Sequence, residues 1–367
     1  AVFKMEEASM DTYFSDKGTL ELPNARDGLP RFSGAWSVKN GRKGSFSLYF
    51  GFDRVRMWKR FGVLGCLLAC FLMSPYRVLG QKEAAIWYFG QRAGLDFRDG
   101  TPTPITDGLV DTIEGCESYS DGDGNLLFYT DGKTVWNRNH EVMPNGTGLK
   151  SSFSTSQAAL VVPLPANPDV YYIFTPDDAL AYNGLIPGGS NGFNYSILDM
   201  RLDGGLGDLT EKNVDLLQNA SENVTAVRDF EEDAYWILTH HKDRFYAYRL
   251  DAAGLQTQPV VSRIGPEISG ENNVRGNIKI SPDGRRVAVT HNVLEPTYVS
   301  HLYVYDFDVA TGRVANILPL VSEFLFYGVE FSPDSSKLYT SGMPIGLNEE
   351  GEAVLGRLEI LQFNLEA

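Results

Sequence analysis

Residues 125–131 read Asn-Leu-Leu-Phe-Tyr-Thr-Asp, a run of five strand-forming residues between two turn formers. Runs of the same type return at residues 170–176, 234–240, 286–291 and 337–343. Apolar residues occupy both alternate positions of these runs, so each predicted strand is covered on both faces. A second type of strand follows each of the last four runs. These second strands end 48, 57 and 56 residues apart, at Asp203, Asp251, Asp308 and Asn364.

A repeat of about fifty residues that forms one small antiparallel sheet is typical of a β-propeller. A lone sheet of this size cannot bury both faces, so blades stack radially and each covers its neighbour. A β-sandwich needs less repetition, and a β-helix has shorter repeats. We therefore predict an all-β fold, a β-propeller of four-stranded blades. Five blades are expected, at residues 115–150, 157–217, 224–264, 274–320 and 325–364.

The same turn joins the first two strands of two of these blades. Ser281-Pro-Asp-Gly and Ser332-Pro-Asp-Ser lie 51 residues apart, and proline, aspartate and glycine are favoured at successive positions of such turns. One further strand is expected near residues 86–90. Because closed propellers generally need more than five blades, we expect the ring to be truncated at its C-terminus, with one or two blades missing.

Residues 57–80 have the pattern of a secretory signal peptide. Met57 opens a basic tetrapeptide, residues 61–73 are apolar, and small residues precede Gln81. The run is short for a membrane span, and a retained anchor, a lipoprotein signal at Cys70 and a buried helix stay as alternatives. Because a signal peptide begins a translated chain, residues 1–56 are predicted to be a disordered, non-native upstream extension. A cytoplasmic extension ahead of an anchor is the alternative, and residues 81–367 form the propeller.

Charge and cysteine content limit the classes of function. Residues 1–80 hold 12 Lys and Arg against 7 Asp and Glu, whereas residues 81–367 hold 20 against 40. Such an acidic domain repels phosphate backbones, so nucleic acid is excluded as a partner. Cys116 is the one cysteine after residue 80, which leaves no intrachain disulfide there. We interpret it as a small buried residue, because no local signature of a nucleophile accompanies it.

Three groups of residues could ligate a metal or act in acid–base chemistry. Residues 121–125 read Asp-Gly-Asp-Gly-Asn, which either forms a tight turn or supplies oxygen ligands to Ca²⁺. The pair His240–His241 and His291 follow equivalent strands and could approach a metal together with Asp243, although rim histidines are the simpler interpretation. The carboxylates Asp111, Glu114 and Glu117 could serve a glycosidase, or they form an acidic loop.

Two other groups have a structural explanation beside a functional one. Trp87, Trp136 and Trp236 could form a carbohydrate platform, but tryptophans within blade strands more often pack between blades. Residues 204–207 are glycine-rich, yet no helix follows that could hold a phosphate. We assign no catalytic, cofactor-binding or metal-binding residue, and no cofactor, from the sequence.

Residues 81–367 resemble the N-terminal propeller of large Bacteroidetes surface proteins. The resemblance is carried by residues 85–97, by Glu114-Gly-Cys, and by the runs at 123–132 and 135–149. The blade turns also resemble those of WD-repeat and YVTN-type propellers. Such surface proteins typically carry later PKD or immunoglobulin-like modules and a gliding-motility-associated C-terminal domain for type IX secretion. The resemblance implies export to the outer-membrane surface or release from it. It supplies no catalytic residues.

These observations favour a non-catalytic extracellular or cell-surface module of a larger secreted protein. Its expected role is binding or adhesion, with a surface protein or glycan as ligand, and it is expected to be a monomer that is not inserted in a membrane. The alternative is a secreted propeller enzyme, a hydrolase or lyase acting on a polysaccharide or a lactone. That alternative predicts a funnel of convergent carboxylates or histidines, whereas an apolar or plugged channel would count against it.

Overall fold

The computed structural model describes residues 82–176, 178, 191–268, 275–291, 300–321, 324–348 and 353–365, with the strand backbone of 32–37 and 43–48. The chain divides into two compact units, Ala1–Val78 and Leu79–Ala367. In the first unit, β1 (Phe32–Ser37) pairs antiparallel with β2 (Lys43–Leu48). Both strands lie within residues 1–56, whose assignment as an upstream extension stays a prediction. The predicted signal peptide at 57–80 lies outside the described residues.

The second unit consists of six antiparallel sheets in chain order, which we name blades 1 to 6. Blade 1 has three strands and the other five have four each. The strands of blades 1 to 3 are β3 (Ile86–Phe89), β4 (Ala93–Asp96), β5 (Thr103–Ile105), β6 (Glu117–Ser120), β7 (Leu126–Thr130), β8 (Thr134–Asn137), β9 (Val142–Thr147), β10 (Leu160–Leu164), β11 (Asn167–Thr175), β12 (Phe193–Asp199) and β13 (Asp208–Leu217). The strands of blades 4 to 6 are β14 (Val224–Asp229), β15 (Ala234–Asp251), β16 (Gly254–Leu255), β17 (Val260–Ile268), β18 (Ile278–Ile280), β19 (Arg286–His291), β20 (His301–Asp308), β21 (Arg313–Val321), β22 (Phe324–Phe331), β23 (Lys337–Leu347), β24 (Ala353–Leu355) and β25 (Glu359–Asn364).

The predicted all-β propeller is confirmed, and the five predicted blades correspond to blades 2 to 6. The predicted strand near residues 86–90 is confirmed as β3, but it belongs to a three-stranded blade 1 that was not predicted. A tight turn carries the chain from β3 into β4, with Gly90 at a φ of 57°, a region that glycine enters without steric cost. No helix of the described residues is long and apolar enough to cross a membrane.

The strand β15 supplies two strand positions of blade 4. Its first half pairs with β14 and its second half, from Lys242 onward, pairs with β17. The guanidinium of Arg249 lies 5.5 Å from the ring centre of Trp236, thirteen positions earlier. An extended strand would separate the two by roughly 40 Å, so the chain must turn back between them. Lys242, at a φ of 55°, lies where the turn is required.

Alternating side chains of the second strand in each blade join neighbouring blades. Tyr129 packs in the core between blades 1 and 2, while Phe128 packs between blades 2 and 3. The same alternation follows in blade 4, where Ile237 faces blade 3 and Leu238 faces blade 5. Because both faces of these strands are covered by neighbouring blades, the repeated runs are apolar at odd and even positions alike.

The first strands of blades 2 to 6 lie at the centre of the stack. Each contacts the first strand of the next blade, in the order β6, β10, β14, β18 and β22. These five strands therefore line a central channel. Their N-terminal ends lie at the same end of the channel as the C-terminal ends of the second strands, because neighbouring strands in each blade are antiparallel.

Candidate functional site

The central channel contains a cavity of about 630 Å³ that is lined by residues of blades 2 to 6. Its wall is polar and carries charges of both signs. The lining includes Glu117 of β6, Gln157 before β10, Arg228 of β14, Asn277 before β18, Lys279 of β18 and Glu330 of β22. The channel is therefore neither apolar nor plugged by apolar side chains in the described part of the chain.

Two of the channel carboxylates differ in their environments. Lys279 Nζ lies 2.8 Å from Oε2 of Glu330, which remains largely exposed. Burial raises the pKa of Glu117 to about 7, and the positive charge of Lys279 only partly opposes this effect. Glu117 thus changes charge close to neutral pH, whereas an exposed glutamate is ionised there.

A second set of polar residues gathers where the inner strands begin, and we call it the mouth: Glu114, Ser156, Glu222 and Tyr327. Ser156 donates through its backbone N–H and through Oγ to Oε2 of Glu222, at 3.0 and 2.8 Å. The Tyr327 hydroxyl and Ser156 Oγ lie 2.9 Å apart and form a hydrogen bond in which either can be the donor. Ser156 lines the channel cavity, so the mouth opens into it.

The electrostatics of the mouth centre on Glu114 and Tyr327. The pKa of Glu114 is raised, chiefly by burial and to a smaller extent by the negative charge of Asp178. A hydrogen bond with Tyr327 and the positive charge of Arg275 oppose this shift. Burial likewise raises the pKa of Tyr327. One oxygen of Glu114, Oε2, is buried without a hydrogen-bond partner. The mouth therefore contains a buried acceptor without a partner.

Irregular backbone positions the tyrosine of the mouth. The register of β22 on β23 shifts between Phe326 and Val329, so Tyr327 and Gly328 form a bulge. Bulges bend a strand and redirect a side chain, and they are frequent beside functional sites. The Gly328 N–H, freed from the ladder, donates to Ser341 Oγ at 2.9 Å.

Threonines at the ends of the second strands hold the mouth together, and we call them the threonine clasp: Thr239, Thr290 and Thr340. Each donates through Oγ1 to a backbone carbonyl near the start of an inner strand. The acceptors are Asn223 at 2.7 Å, Tyr327 at 2.6 Å and Gly328 at 2.8 Å, respectively. The clasp ties the carbonyl of the mouth tyrosine to blade 5.

The histidines predicted as rim or metal residues are partly brought together. His240 and His291 are almost fully buried, and their ring centres are 4.9 Å apart across blades 4 and 5. Asp243 does not join them, because it forms an ion pair with Arg263. The idea that Asp243 completes a site with the imidazoles is therefore wrong. The described residues contain no group of three or more His, Cys, Asp or Glu side chains arranged to hold a metal ion.

The predicted Asp-Gly-Asp-Gly-Asn segment is the turn between β6 and β7. Oδ1 of Asp121 accepts the backbone N–H groups of Asp123 and Asn125 at 2.9 and 2.8 Å, and its Oδ2 accepts the Asn125 amide. Burial raises the pKa of Asp121, but these hydrogen bonds outweigh it and the net shift is downward. The turn is explained by these contacts without an ion.

The three predicted carboxylates do not form one constellation. Glu114 belongs to the mouth, and Glu117 lies further along the channel. Asp111 is exposed and forms an isolated backbone bridge with Gln91. The structure thus separates Asp111 from the two glutamates, which occupy different depths because they are three residues apart on one chain segment.

The tryptophans do not form a common platform. Trp136 and Trp236 are buried between blades, as the packing interpretation predicts, while Trp87 is 47% exposed on blade 1. Trp136 stacks on Tyr129, and Trp236 donates from Nε1 to the carbonyl of Val309 at 2.6 Å.

The remaining candidates have structural roles. Cys116 donates its thiol to the carbonyl of Tyr88 at 3.2 Å, and burial raises the pKa of that thiol to about 12. The thiol is therefore protonated and unreactive near neutral pH. The glycine-rich residues 204–207 lie between β12 and β13, where Asp203–Gly205 form a single 3₁₀ turn, and Arg138 donates to the carbonyl of Gly205 at 2.7 Å.

Ser156, Glu222 and Tyr327 were not singled out by the sequence analysis. Ser156 and Tyr327 are 171 positions apart, and each lies in a connection or bulge without a recognisable motif. The sequence could have indicated them only by their position, because all three precede or lie in the inner strand of a predicted blade.

No protein-family model and no curated protein sequence matches this chain. Among solved structures, the chain is similar to hydrazine synthase of Kuenenia stuttgartiensis, with 11% identity, a TM-score of 0.37, and 68% of this chain and 62% of that chain covered. It is similar to a periplasmic gluconolactonase of Pseudomonas aeruginosa, with 10% identity, a TM-score of 0.36, and 64% and 63% covered. It is also similar to the WD40 repeats of RRP9, with 10% identity, a TM-score of 0.33, and 70% and 67% covered.

The first two of these likenesses span less than two thirds of the matched chain. At such identities they concern the fold alone.

Proposed function

We propose that the propeller is a non-catalytic extracellular module that binds a hydroxyl-rich ligand, such as the end of a neutral glycan, at the mouth and in the channel. The observation that carries this proposal is that Glu114, Ser156, Glu222 and Tyr327, from four different blades, interact with one another beside the channel cavity, which Ser156 lines. Carboxylates, hydroxyls and amides together satisfy both the donors and the acceptors of sugar hydroxyl groups.

Charge narrows the class of ligand. Residues 81–367 hold twice as many acidic as basic residues, and two glutamates belong to the mouth itself. A polyanionic ligand would be repelled, whereas neutral hydroxyls can donate to a carboxylate such as Glu114, whose Oε2 lacks a partner. Display on the cell surface, or release from it, forms part of this proposal and rests on the sequence pattern of residues 57–80 and on the family resemblance.

A secreted hydrolase or lyase is the second candidate, and the pKa values at the mouth favour it. Glu114, with its raised pKa, can act as a general acid, and Glu222 lies on the other side of the Ser156–Tyr327 hydrogen bond. Such a pair of carboxyl groups in different environments is the arrangement that acid–base catalysis requires.

Binding and turnover of the same ligands separate the two candidates. The purified chain is screened against an array of neutral and uronic-acid oligosaccharides, and each hit is then incubated with the protein and analysed for cleavage or lactone opening. The proposal predicts binding of neutral oligosaccharides without product. Product that is lost in Glu114→Gln would establish the enzyme instead, and absence of any neutral hit would contradict the proposed function.

A further inference from the structure

Three buried side chains cap the apolar core between blades 4 and 5, and we call them the imidazole cap: Asn223, His240 and His291. Leu238 faces blade 5, and His240, two positions later on the same strand, shares that face. Val289 faces blade 4, and His291 follows it with the same spacing. The two imidazoles therefore meet at the mouth end of this core.

The backbone of Asn223 lies next to Thr239 and His240. Val224 is the register partner of Thr239, and Asn223 is one step further toward His240. The clasp bond from Thr239 to the carbonyl of Asn223, at 2.7 Å, and a bond from the Ser221 N–H to the carbonyl of His240, at 2.8 Å, fix this segment.

The polar atoms of the imidazole cap lack hydrogen-bond partners. Nδ1 of His240, Nε2 of His291, and both amide atoms of Asn223 are buried without one. The three residues are between 1% and 2% exposed. Each buried polar group left unpaired costs about 1–3 kcal/mol, so a cluster of them calls for an occupant.

We propose that the imidazole cap binds one divalent transition-metal ion, such as Zn²⁺, through His240 Nδ1, His291 Nε2 and the amide oxygen of Asn223. Zn–N bonds of about 2.0–2.1 Å in a tetrahedral site place two imidazole ring centres roughly 5 Å apart. The separation of 4.9 Å agrees with this value.

The site is not a common structural zinc centre, because an amide oxygen replaces the third nitrogen or sulfur ligand. Two imidazoles and one oxygen suit Zn²⁺, Cu²⁺ or Ni²⁺ and are unsuited to Ca²⁺ or Mg²⁺. The inference does not depend on the glycan proposal, since the cap is buried between two blades.

Metal titration of the chelator-treated chain tests the proposal. We expect Zn²⁺ to bind with a stoichiometry of one by calorimetry and to raise the unfolding temperature, whereas Ca²⁺ does neither. His240→Ala and His291→Ala should each abolish the heat of binding. His140→Ala is the matched control, because that histidine bonds to the Tyr129 hydroxyl in blade 2 and should leave the binding unchanged.

Spectroscopy of the unaltered chain covers the case in which these variants fail to fold. Co²⁺ bound by two imidazoles and oxygen in a tetrahedral site gives intense visible absorption, which Zn²⁺ should displace. Absence of Zn²⁺ binding would overturn the proposal and leave water as the occupant. Binding that persists in His240→Ala and His291→Ala would place the ion elsewhere and would overturn it equally.

Discussion

Glu117 shows how the channel changes the chemistry of a single residue. The charged groups that line the cavity with it are Lys279 from β18, Glu330 from β22 and Arg228 from β14. Burial is the larger influence, and the pKa of Glu117 rises from 4.5 to about 7. Between these values the folded protein retains a proton that the unfolded chain has lost. Stability contributed by this proton is complete below about 4.5 and is lost as the pH rises through 7.

Glu117→Gln should remove the loss of stability above pH 7, because glutamine does not become charged. We expect the variant to melt at a higher temperature than the wild type at pH 8, and the difference to shrink to nothing toward pH 4.5. Melting curves across this range check the prediction. Glu330→Gln is the control, because Glu330 is largely exposed and pairs with Lys279. A wild-type advantage at pH 8 would contradict the assignment.

Residue roles at the candidate site were predictable only in part. The sequence marks His240 and His291 through their equivalent positions after a repeated strand, and the structure brings their rings together. It also marks Glu114, although as one of an acidic trio. Ser156 and Tyr327 meet only after the blades stack, and no local pattern encodes a contact between residues so far apart in the chain.

At the scale of strands and turns, the threonine clasp connects the fold to the site. Thr239→Val keeps the side-chain shape but leaves the carbonyl of Asn223 without its donor, so we expect a loss of about 1–3 kcal/mol in the free energy of unfolding. Urea denaturation measures this loss.

Thr175 provides a matched control for the clasp. It ends the second strand of blade 3 and is fully buried, but its Oγ1 has no hydrogen-bond partner. Thr175→Val should therefore be neutral or slightly stabilising. Equal destabilisation by Thr175→Val and Thr239→Val would show that burial, and not the hydrogen bond, governs these positions.

The strands of blades 2 to 6 were predictable because their apolar runs and turn residues repeat. Only one strand of blade 1 was predicted, because β4 and β5 are just four and three residues long. Glycine, proline and threonine make up much of these two strands. The residues of β15 were predicted to form two separate strands. This agrees with the structure, in which the two halves of β15 pair with different partners. Repetition thus encodes blades, whereas short strands depend on tertiary pairing.

At the scale of the whole domain, five apolar cores join the six blades. The described residues show a core between each pair of consecutive blades, and none that joins blade 6 to blade 1. The outer faces of these two sheets carry large exposed apolar side chains. Trp87 and Phe89 of β3 are 47% and 37% exposed, and Ile360 of β25 is 69% exposed.

These faces continue the radial stack that the other blades form, so we expect a further blade of a longer chain to cover them. In that longer protein Trp87 should be shielded from solvent. The fluorescence of Trp87 is identified as the emission that is lost in Trp87→Phe. We expect acrylamide to quench this fluorescence less in the longer protein than in residues 81–367 alone. Equal quenching in both proteins would contradict this expectation. Shielding that depends on protein concentration would indicate a second copy instead.

The most direct test of the proposed function is the affinity of the mouth for its ligand. The tightest neutral oligosaccharide from the array is titrated by calorimetry into the wild type, Ser156→Ala and Ser154→Ala, the last being a nearby serine outside the mouth. We predict that Ser156→Ala weakens binding about tenfold, because it removes one hydrogen bond to the ligand and the hydroxyl that joins Glu222 to Tyr327. Ser154→Ala should bind with the affinity of the wild type. Wild-type affinity in Ser156→Ala, or no neutral oligosaccharide that binds, would contradict the mouth as the functional site.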